Sequence, residues 1–274
     1  MKNLFEFRAV EFAEKVHTSI WYESAFKHNP YLTDQLYCHG EAIIDLMSSH
    51  SFDEYLFFLL TSKFPTQNQK KIFNALLIGI SNVGLRHPAN RAVIIAAASK
   101  TYSQNLLPIG LSILGGSYLG ADEVLSSMKW ISKNKHRNPK DLIFENQSSL
   151  IQANDLEKSQ EHVFPGFGRQ FDGVAPWPKR LSKKLISIGE EIPHLLFCEQ
   201  LVFFLEEQDN SGWLITGLAA ATLLDLGFHW KSGAILFQLL ATPGLAASSL
   251  EMSEKDYTSL PFIAEENYIL TTSK

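Results

Sequence analysis

The stretch Val163–Leu181, VFPGFGRQFDGVAPWPKRL, constrains the fold more than any other part of the sequence. In its PGFG segment, Pro165–Gly168, proline fixes its own φ and two glycines can adopt positive φ, so the backbone turns tightly. Such a turn can hold main-chain N–H groups against a ligand, and the basic Arg169 follows at once. Glycine and proline prevent a long helix until Lys179 and Arg180 open a new helical pattern. We therefore predict a ligand-binding turn at Pro165–Gly168.

Helical patterns dominate the remaining sequence. Asn68–Ile80 and Ala89–Lys100 are apolar on nearly every face, which predicts helices buried on all sides. Ser51, three residues before Glu54, predicts a capping box at the start of a helix that runs through Leu60. Six more helices are predicted, at Leu106–Leu114, Val124–Ile131, Leu181–Ile188, Leu195–Glu206, Trp213–Leu226 and Ser232–Leu240.

Few segments depart from this pattern. The polar segment Asn146–Glu161 is typical of a linker, and Tyr31–Cys38 is predicted as one short strand. Because no set of alternating strands accompanies the helices, the predicted fold class is all-α.

Length and composition indicate one large globular domain with a smaller one attached. The 274 residues can bury a sizeable core, and a net charge of −5 argues against a nucleic-acid partner. Apolar runs such as Trp213–Leu224 fall short of the roughly 20 residues that a membrane span needs. Cys38 and Cys198 could form one disulfide, but without a secretory leader we expect reduced thiols in a cytoplasmic protein.

Five fragments of the chain, in order, resemble the citrate synthase and citryl-CoA lyase superfamily. PGFG followed by Arg169 resembles that family's PGFGH, which precedes a loop ending in an aspartate-proline-arginine triplet. Leu111–Met128, LSILGGSYLGADEVLSSM, resembles the segment GPLHGGANEA, and Asp209–Phe228 resembles NVDGxxxxLLxxLG. Cys38–Thr66 resembles GYDIxxL followed by SFxExxxLLxxGxLPT, and Leu236–Glu251 resembles LFAxARxPGLxAHxxE. The short chain is most similar to the citryl-CoA lyase-like branch.

The resemblance implies a citrate synthase-like, two-domain helical subunit that forms a helix-sandwich homodimer. It implies a large domain formed by residues 1–120 and 212–274 and a small domain formed by residues 121–211, with a CoA thioester bound in the cleft between them. Helices that are apolar on every face need more cover than one small subunit supplies. We therefore expect the dimer to form through Asn68–Ile80, Ala89–Lys100 and Leu106–Leu114.

The resemblance also implies a chemistry, and this sequence departs from it. In the family a carboxylate removes a proton from a thioester methyl group, one histidine stabilises the enolate and a second polarises the electrophilic carbonyl. The first histidine corresponds to Tyr118 or to a residue within one position of it, the second to Arg169 and the carboxylate to Ser211. The arginine of ARxPG is replaced by Ala241, and the following histidine by Ser248. Efficient citrate formation is therefore not expected.

The replacing residues have alternative roles. Tyr118 could donate a hydrogen bond to a thioester oxygen or serve only in packing. Arg169 cannot be a base, because it stays protonated, but it could bind a carboxylate, phosphate or enolate. Ser211 is predicted to cap the Trp213 helix, with substrate contact as the alternative. Asp209 could replace the lost base if the register of its loop differs from that of the family.

Basic residues elsewhere are candidates for substrate binding. Lys179 or Arg180 corresponds to the arginine of the family's triplet, and Arg86 and His87, in GLRHPAN, could point into the cleft or be exposed. A basic run could meet the phosphates of CoA or be solvated; it comprises Lys133, Lys135, Arg137 and Lys140. No metal site is expected, because His194 and His229 lack partners at metal-ligand spacing.

Two functions follow from these residues, and a third is open. The first is an enzyme that makes or breaks a carbon–carbon or acyl bond in a CoA- or carrier-linked thioester with a rebuilt active site. The second is a catalytically inactive homologue that binds CoA or a metabolite, or supports a partner subunit. The third is a thioester-processing enzyme of specialised metabolism. In each case the expected partner is a small acyl thioester or carboxylate, with CoA thioester as co-substrate.

Overall fold

The computed structural model describes residues 14–153, 162–171 and 173–269, apart from the side chains of residues 148–153 and 209. The chain divides into two compact units, Met1–Pro65 and Thr66–Lys274. The described residues contain eleven α-helices, three short 3-10 helices and two small three-stranded sheets, so the predicted all-α class is confirmed. These two units differ from the predicted domains, which were residues 1–120 with 212–274 and residues 121–211. The predicted domain division stays a prediction.

The first unit is an antiparallel hairpin followed by two helices. The strand predicted at Tyr31–Cys38 is confirmed as part of a longer one, which pairs with a preceding strand that the sequence did not predict. Three residues form the core of this unit: Cys38, Leu46 and Phe58. In order, the elements are β1 (Trp21–Phe26), β2 (Asn29–Cys38), β3 (Glu41–Ala42), α1 (Ile43–Ser49) and α2 (Phe52–Thr61).

Capping boxes begin two of the helices. The Ser51 N–H donates to the Glu54 carboxylate at 2.9 Å, and α2 begins at the next residue, as predicted. Thr66 and Gln69 exchange the same pair of hydrogen bonds at 3.0 and 3.2 Å at the start of the next helix. Each box satisfies backbone donors that a helix N-terminus leaves without a partner.

In the described part of the second unit there are nine helices, two of which, α10 and α11, are central. They are α3 (Gln67–Ile80), α4 (Pro88–Ala98), α5 (Ser103–Leu114), α6 (Ala121–Asn134), α7 (Pro139–Ala153), α8 (Pro176–Ile188), α9 (Pro193–Asp209), α10 (Ile215–Asp225) and α11 (Gly233–Ser253). Helix α10 packs against α3, α6, α8 and α9, and α11 packs against α3, α4, α5 and α6. The apolar middle of α10 is fully buried, so α10 is a core helix.

The PGFG segment forms the hairpin turn of the second sheet. This sheet has the order β4–β5–β6, with β4 at His162–Phe164, β5 at Phe167–Gly168 and β6 at Gly212–Trp213. Phe164 faces Phe167 across the hairpin, and Gly166 takes a φ of +83° between them. Positive φ is open to glycine without steric cost, so the predicted tight turn is confirmed.

Three predictions for the segments on either side of the PGFG turn and α8–α9 are wrong: one linker, one helix start and one helix cap. Residues 146–153 of the predicted linker Asn146–Glu161 belong to α7, and residues 154–161 lie outside the described residues. Trp213 lies in β6, because β5 needs a hydrogen-bonding partner on its second edge, and α10 begins only at Ile215 with Leu214 as its N-cap. Ser211 therefore does not cap that helix.

Helix α11 continues past Leu240, the predicted end of this helix, and runs through Pro243. The N–H of Gly244 donates at 2.7 Å to the carbonyl of Ser81, the C-cap residue of α3. This hydrogen bond to another segment of the chain takes the place of one within α11. A Cβ at position 244 would lie 2.1 Å from that oxygen. Only glycine admits this close approach, which joins α3 to α11.

Two expectations about apolar segments are also corrected. Ile78 of α3 and Ile95 of α4 are 69% and 49% exposed in the single chain, so these helices are not buried on all sides. Among the described residues, Trp230–Ser253 is long and apolar enough to cross a membrane, contrary to the expectation from the sequence. Because α11 packs against four other helices, we interpret its composition as that of a core helix.

Both cysteines are buried free thiols, so the prediction of unpaired Cys38 and Cys198 is confirmed. Burial raises the pKa of the Cys198 thiol well above its usual value, and the carboxylates of Asp225 and Glu199 raise it further. Cys198 is therefore a neutral core residue rather than a nucleophile.

Candidate functional site

A buried carboxylate, Glu123, links three parts of the second unit. Its side chain is only 4% exposed. One oxygen, Oε2, accepts hydrogen bonds from the Leu119 N–H and the Thr216 hydroxyl, both at 3.0 Å. The other, Oε1, accepts from the Gly166 N–H at 3.2 Å and lies 2.7 Å from His162 Nδ1. A buried charge needs such partners, and Glu123 thereby joins the loop before α6, the PGFG turn and α10.

The position of Glu123 follows from how α6 begins. It lies in the first turn of α6, where the helix dipole favours a negative charge. The preceding loop is tight, since Leu119 has a φ of +52° and a Cβ on Gly120 would lie 2.2 Å from the Gly116 carbonyl. The loop therefore folds back over the helix end and brings the Leu119 N–H to the carboxylate.

An aromatic pair lies on the outer side of this carboxylate. The rings of Tyr118 and His162 stack with centroids 5.7 Å apart and an angle of 19° between their planes. Tyr118 is 39% exposed, and the His162 side chain is 25% exposed. The structure therefore brings together one predicted site residue, Tyr118, and two that the sequence analysis did not single out, His162 and Glu123.

A sequence signal for Glu123 does exist. Glu123, Ser127 and Ile131 follow one another at four-residue spacing, so all three share the buried face of α6. A charged residue on an apolar helix face must find partners inside the protein. No comparable signal marks His162, because its partner is distant in the sequence.

The PGFG turn packs directly on the start of α10. Besides donating to Glu123, Gly166 accepts a hydrogen bond from the Leu214 N–H at 3.1 Å through its carbonyl. A Cβ at Gly166 would lie 2.4 Å from the Gly217 Cα, and one at Gly217 would lie 2.1 Å from the Gly166 oxygen. Both main-chain polar groups of Gly166 thus bond within the protein. Ligand contact by Pro165–Gly168 stays a prediction.

Arg169 follows the last residue of β5 and is half-buried. Gly168, which precedes it, pairs with His162 across the hairpin. Arg169 and His162 therefore lie at the same end of the hairpin, opposite the PGFG turn.

Ser211 is fully buried in the connection from α9 to β6. Its N–H donates to the Leu205 carbonyl at 3.3 Å, and the preceding Asn210 adopts a φ of +47°. Asp209 is the last residue of α9, and its side chain lies outside the described part of the structure. Their contact with substrate stays a prediction.

The predicted basic residues of α8 differ in their surroundings. Lys179 Nζ lies 2.7 Å from Oε1 and 2.5 Å from Oε2 of Glu206, so its charge is paired with α9. Arg180 is exposed, and so is Arg86 in the connection from α3 to α4. Binding of substrate by these three residues stays a prediction.

His87 is buried and supports the loop that carries Tyr118. Its Nδ1 accepts a hydrogen bond from the Ala89 N–H at 3.1 Å, which caps α4. Its Nε2 therefore donates to the Leu119 carbonyl at 3.1 Å. Burial lowers the pKa of His87, while the bond to Leu119 opposes that effect. The neutral ring thus holds the backbone next to Tyr118.

Two residues of the basic run, Arg137 and Lys140, line a depression of about 720 Å³ between the start of α7 and the side of α9. Arg137 pairs with Glu145 at 2.5 Å, and Lys140 Nζ lies 4.7 Å from the centre of the Phe204 ring. These two cations already have partners, and contact of the run with CoA phosphates stays a prediction. Within residues 14–153, 162–171 and 173–269, no three His, Cys, Asp or Glu side chains are grouped to hold a metal ion.

Comparison with solved structures identifies the fold. Citryl-CoA lyase from Hydrogenobacter thermophilus matches with a TM-score of 0.69 and 21% identity, over 94% of this chain and 95% of that chain. ATP citrate lyase from Methanosaeta concilii, solved with (3S)-citryl-CoA, matches with a TM-score of 0.71 and 14% identity, over 97% of this chain and 43% of that one. Citrate synthase from Thermoplasma acidophilum, solved with carboxymethyl coenzyme A and oxaloacetate, matches with a TM-score of 0.56 and 15% identity, over 82% and 58%.

The chain therefore has the helical fold of citryl-CoA lyase and citrate synthase, as the sequence resemblance predicted. No protein-family model and no curated protein matches it. At these identities the likeness is one of fold, and function has to be argued from the site.

Proposed function

We propose that this protein is an enzyme that acts on a CoA-linked or carrier-linked thioester, making or breaking a carbon–carbon or acyl bond. The observation that carries the proposal is the cluster of Tyr118, His162 and Glu123 beside the PGFG turn. It combines a partly exposed tyrosine, an imidazole and a buried carboxylate, and such groups are used in acid–base chemistry at a carbonyl. The solved proteins of this fold that contain citryl-CoA or coenzyme A support a thioester ligand.

Each member of the site has a role in this proposal. The Tyr118 hydroxyl donates to the thioester oxygen, and Arg169 stabilises the negative charge that develops there or binds a substrate carboxylate. Arg180 supplies a second positive charge, since the charge of Lys179 is paired with Glu206. The site is thus rebuilt around electrostatic stabilisation and positioning.

Citrate is not the expected product. Ser211, at the position of the family's carboxylate, is fully buried and carries no charge. Ala241, at the position of an arginine, is also fully buried. The site therefore lacks the usual base and one of the groups that hold substrate carboxylates.

A second candidate is a catalytically inactive homologue that binds CoA or a metabolite, or supports a partner subunit. The PGFG turn favours this candidate, because both main-chain polar groups of Gly166 bond within the protein. Such a turn can persist for its packing on α10 after a ligand role is lost. Measured binding and exchange of a thioester separate the two candidates.

The proposed assembly is a cytoplasmic homodimer formed through α3, α4 and α5. Each of these helices exposes an isoleucine: Ile78 is 69% exposed, Ile95 is 49% exposed and Ile113 is 42% exposed. Covering such side chains in a second copy removes apolar surface from water.

Isothermal titration calorimetry with CoA, acetyl-CoA and small carboxylates tests the proposal. We expect wild type to bind a thioester and Arg169→Ala to bind it about 10- to 100-fold more weakly, because a charge-assisted hydrogen bond is lost. Arg91→Ala is the matched control, since Arg91 is an exposed arginine of α4. Absence of binding to wild type, or equal affinities for wild type and Arg169→Ala, contradicts the proposed site.

A further inference from the structure

We propose that the depression between the start of α7 and the side of α9 is a binding site for a purine nucleotide. The inference goes beyond the proposed function, because the residues that line this depression are different from those beside the PGFG turn. It depends on three properties of the lining: exposed cations on one side, aromatic rings on the other, and hydrogen-bonding groups next to the rings.

The position of the depression separates it from the proposed active site. Glu123 lies in the first turn of α6, whereas Arg137 follows the last residue of that helix, Asn134. A helix of 14 residues is about 21 Å long at a rise of about 1.5 Å per residue. The depression and the Tyr118–His162 pair therefore lie at opposite ends of α6.

The depression has the size of a ligand site. Its volume of about 720 Å³ is within the range of about 300–1,000 Å³ that is typical of small-molecule pockets. A purine nucleotide suits such a space, because it combines a flat ring system with a sugar and phosphates. A single inorganic anion would fill only a small part of it.

Two cations on the α6–α7 side suit the phosphates. Lys140 is exposed, and its Nζ lies 4.7 Å from the centre of the Phe204 ring, which leaves N–H donors directed away from that ring. The Arg137 side chain is 43% exposed, and its pair with Glu145 is a surface ion pair, which contributes little to stability. Phosphate oxygens can therefore accept charge-assisted hydrogen bonds from both cations.

The α9 side offers the base a surface for stacking. Phe203 is 55% exposed, and its ring meets the Phe204 ring edge to face, with centroids 5.3 Å apart and 76° between the planes. Bases stack on aromatic side chains of this kind through their π-faces. A base on Phe203 also removes exposed apolar surface from water.

Two polar side chains of α9 suit the edge of a purine. Oε2 of Glu199 lies 3.0 Å from the Ser182 hydroxyl and accepts a hydrogen bond from the Trp213 indole N–H at 2.9 Å. These contacts hold the carboxylate in place, and they use Oε2 rather than Oε1. Oε1 can accept from a base amino group, and the exposed amide of Gln200 can both donate to and accept from an adenine edge.

Isothermal titration calorimetry of the full-length protein with ADP tests this inference. We expect wild type to bind ADP and Lys140→Ala to bind it about 10- to 100-fold more weakly, because a charge-assisted hydrogen bond to phosphate is lost. Lys133→Ala is the matched control. Lys133 is an exposed lysine of α6 that does not line the depression, so its replacement makes the same change in net charge and should leave the affinity for ADP nearly unchanged.

A second variant tests the contact with the base. Phe203→Ala should bind ADP about 10-fold more weakly than wild type, because stacking is lost, but should bind inorganic pyrophosphate equally well. CDP, which has a smaller ring system, should bind to wild type more weakly than ADP. Lys140 and Phe203 are exposed, so both variants should keep the far-UV circular dichroism spectrum of wild type.

CoA carries a nucleotide of the same chemistry, so a titration with CoA identifies the source of the ligand. Competition between CoA and ADP, together with weaker binding of CoA to Lys140→Ala, supports the site and assigns it to the nucleotide end of CoA. Simultaneous binding of CoA and ADP supports the site and assigns it to a free nucleotide.

Three results would overturn the inference. They are no binding of ADP to wild type at millimolar concentration, equal affinities for ADP in Lys140→Ala and Lys133→Ala, and equal affinities of wild type for CDP and ADP. These results leave the proposed function standing, since that function is tested separately by thioester binding to wild type and Arg169→Ala.

Discussion

Replacement of Glu123 by glutamine tests whether one buried carboxylate joins the loop before α6, the PGFG turn and α10. Glutamine keeps the shape of the side chain but changes one acceptor oxygen into an NH₂ group. If the NH₂ takes the place of Oε1 it faces the Gly166 N–H, and if it takes the place of Oε2 it faces the Leu119 N–H. Either orientation leaves a buried backbone donor without an acceptor.

The loss in stability can be estimated from these contacts. A buried, unsatisfied N–H costs about 1–3 kcal/mol, and the hydrogen bonds that remain are weaker because they no longer involve a charge. Thr216 can rotate its hydroxyl and His162 can change tautomer, so neither is counted as lost. We expect Glu123→Gln to lower the free energy of unfolding by about 2–5 kcal/mol, against a typical total of about 5–15 kcal/mol.

Urea unfolding followed by far-UV circular dichroism measures this loss. Glu145→Gln is the control, because Glu145 is 57% exposed and its pair with Arg137 should contribute only about 0–1 kcal/mol. If Glu123→Gln is no less stable than Glu145→Gln, with the same dependence on urea concentration, then Glu123 does not hold the three segments together.

Four other predictions concern separate parts of the protein. Gly166→Ala should lower the free energy of unfolding by about 2–5 kcal/mol, because its Cβ would lie 2.4 Å from the Gly217 Cα at a residue of positive φ. The control Gly227→Ala is also at positive φ but has open space around it, so it should lower the free energy of unfolding by only about 1–2 kcal/mol. Equal melting temperatures for the two variants would refute the packing argument. Since burial lowers the pKa of His87, its contribution to stability should be complete above the ordinary histidine pKa of 6.5 and should decrease as pH falls through the folded-state pKa. The urea midpoint should therefore decrease less with falling pH in His87→Asn than in wild type. An equal decrease in the two proteins would argue against this role of His87. Ile95→Lys should shift sedimentation from dimer to monomer, whereas a monomeric wild type at micromolar concentration would disprove the interface. Acetyl-CoA and oxaloacetate should not release free CoA at ordinary enzyme rates, because Ser211 supplies no carboxylate, and rapid release would show that another group replaces it.

Features that depend on neighbouring residues could be predicted from the sequence. The capping box at Ser51 and Glu54 was predictable because the two side chains lie three residues apart and satisfy local backbone donors. The turn at Pro165–Gly168 was predictable because the proline ring fixes its own φ, and glycine, which has no Cβ, can adopt positive φ. Ordered motifs along the chain were enough to indicate the helical fold of citryl-CoA lyase and citrate synthase.

Features that depend on distant segments were missed or misread. The helix from Ser232 was predicted to end at Leu240, yet α11 continues through Pro243, and the Gly244 N–H donates to the Ser81 carbonyl. Trp213 was predicted to be helical, yet it pairs with Phe167 because the edge of β5 needs a partner. In both cases a hydrogen bond from another part of the chain outweighs a local preference.

The sequence by itself determined the helical class and the tight turn, and its resemblance to the citrate synthase superfamily predicted that Tyr118, Arg169 and Ser211 stand in place of two histidines and a carboxylate. Only the tertiary structure decided that Tyr118 lies beside His162 and that His162 is bonded to Glu123. Glu123 is 43 residues from Gly166 and 93 residues from Thr216 in the sequence. A buried carboxylate must be satisfied by whatever donors packing brings to it, and local sequence does not specify which donors these are.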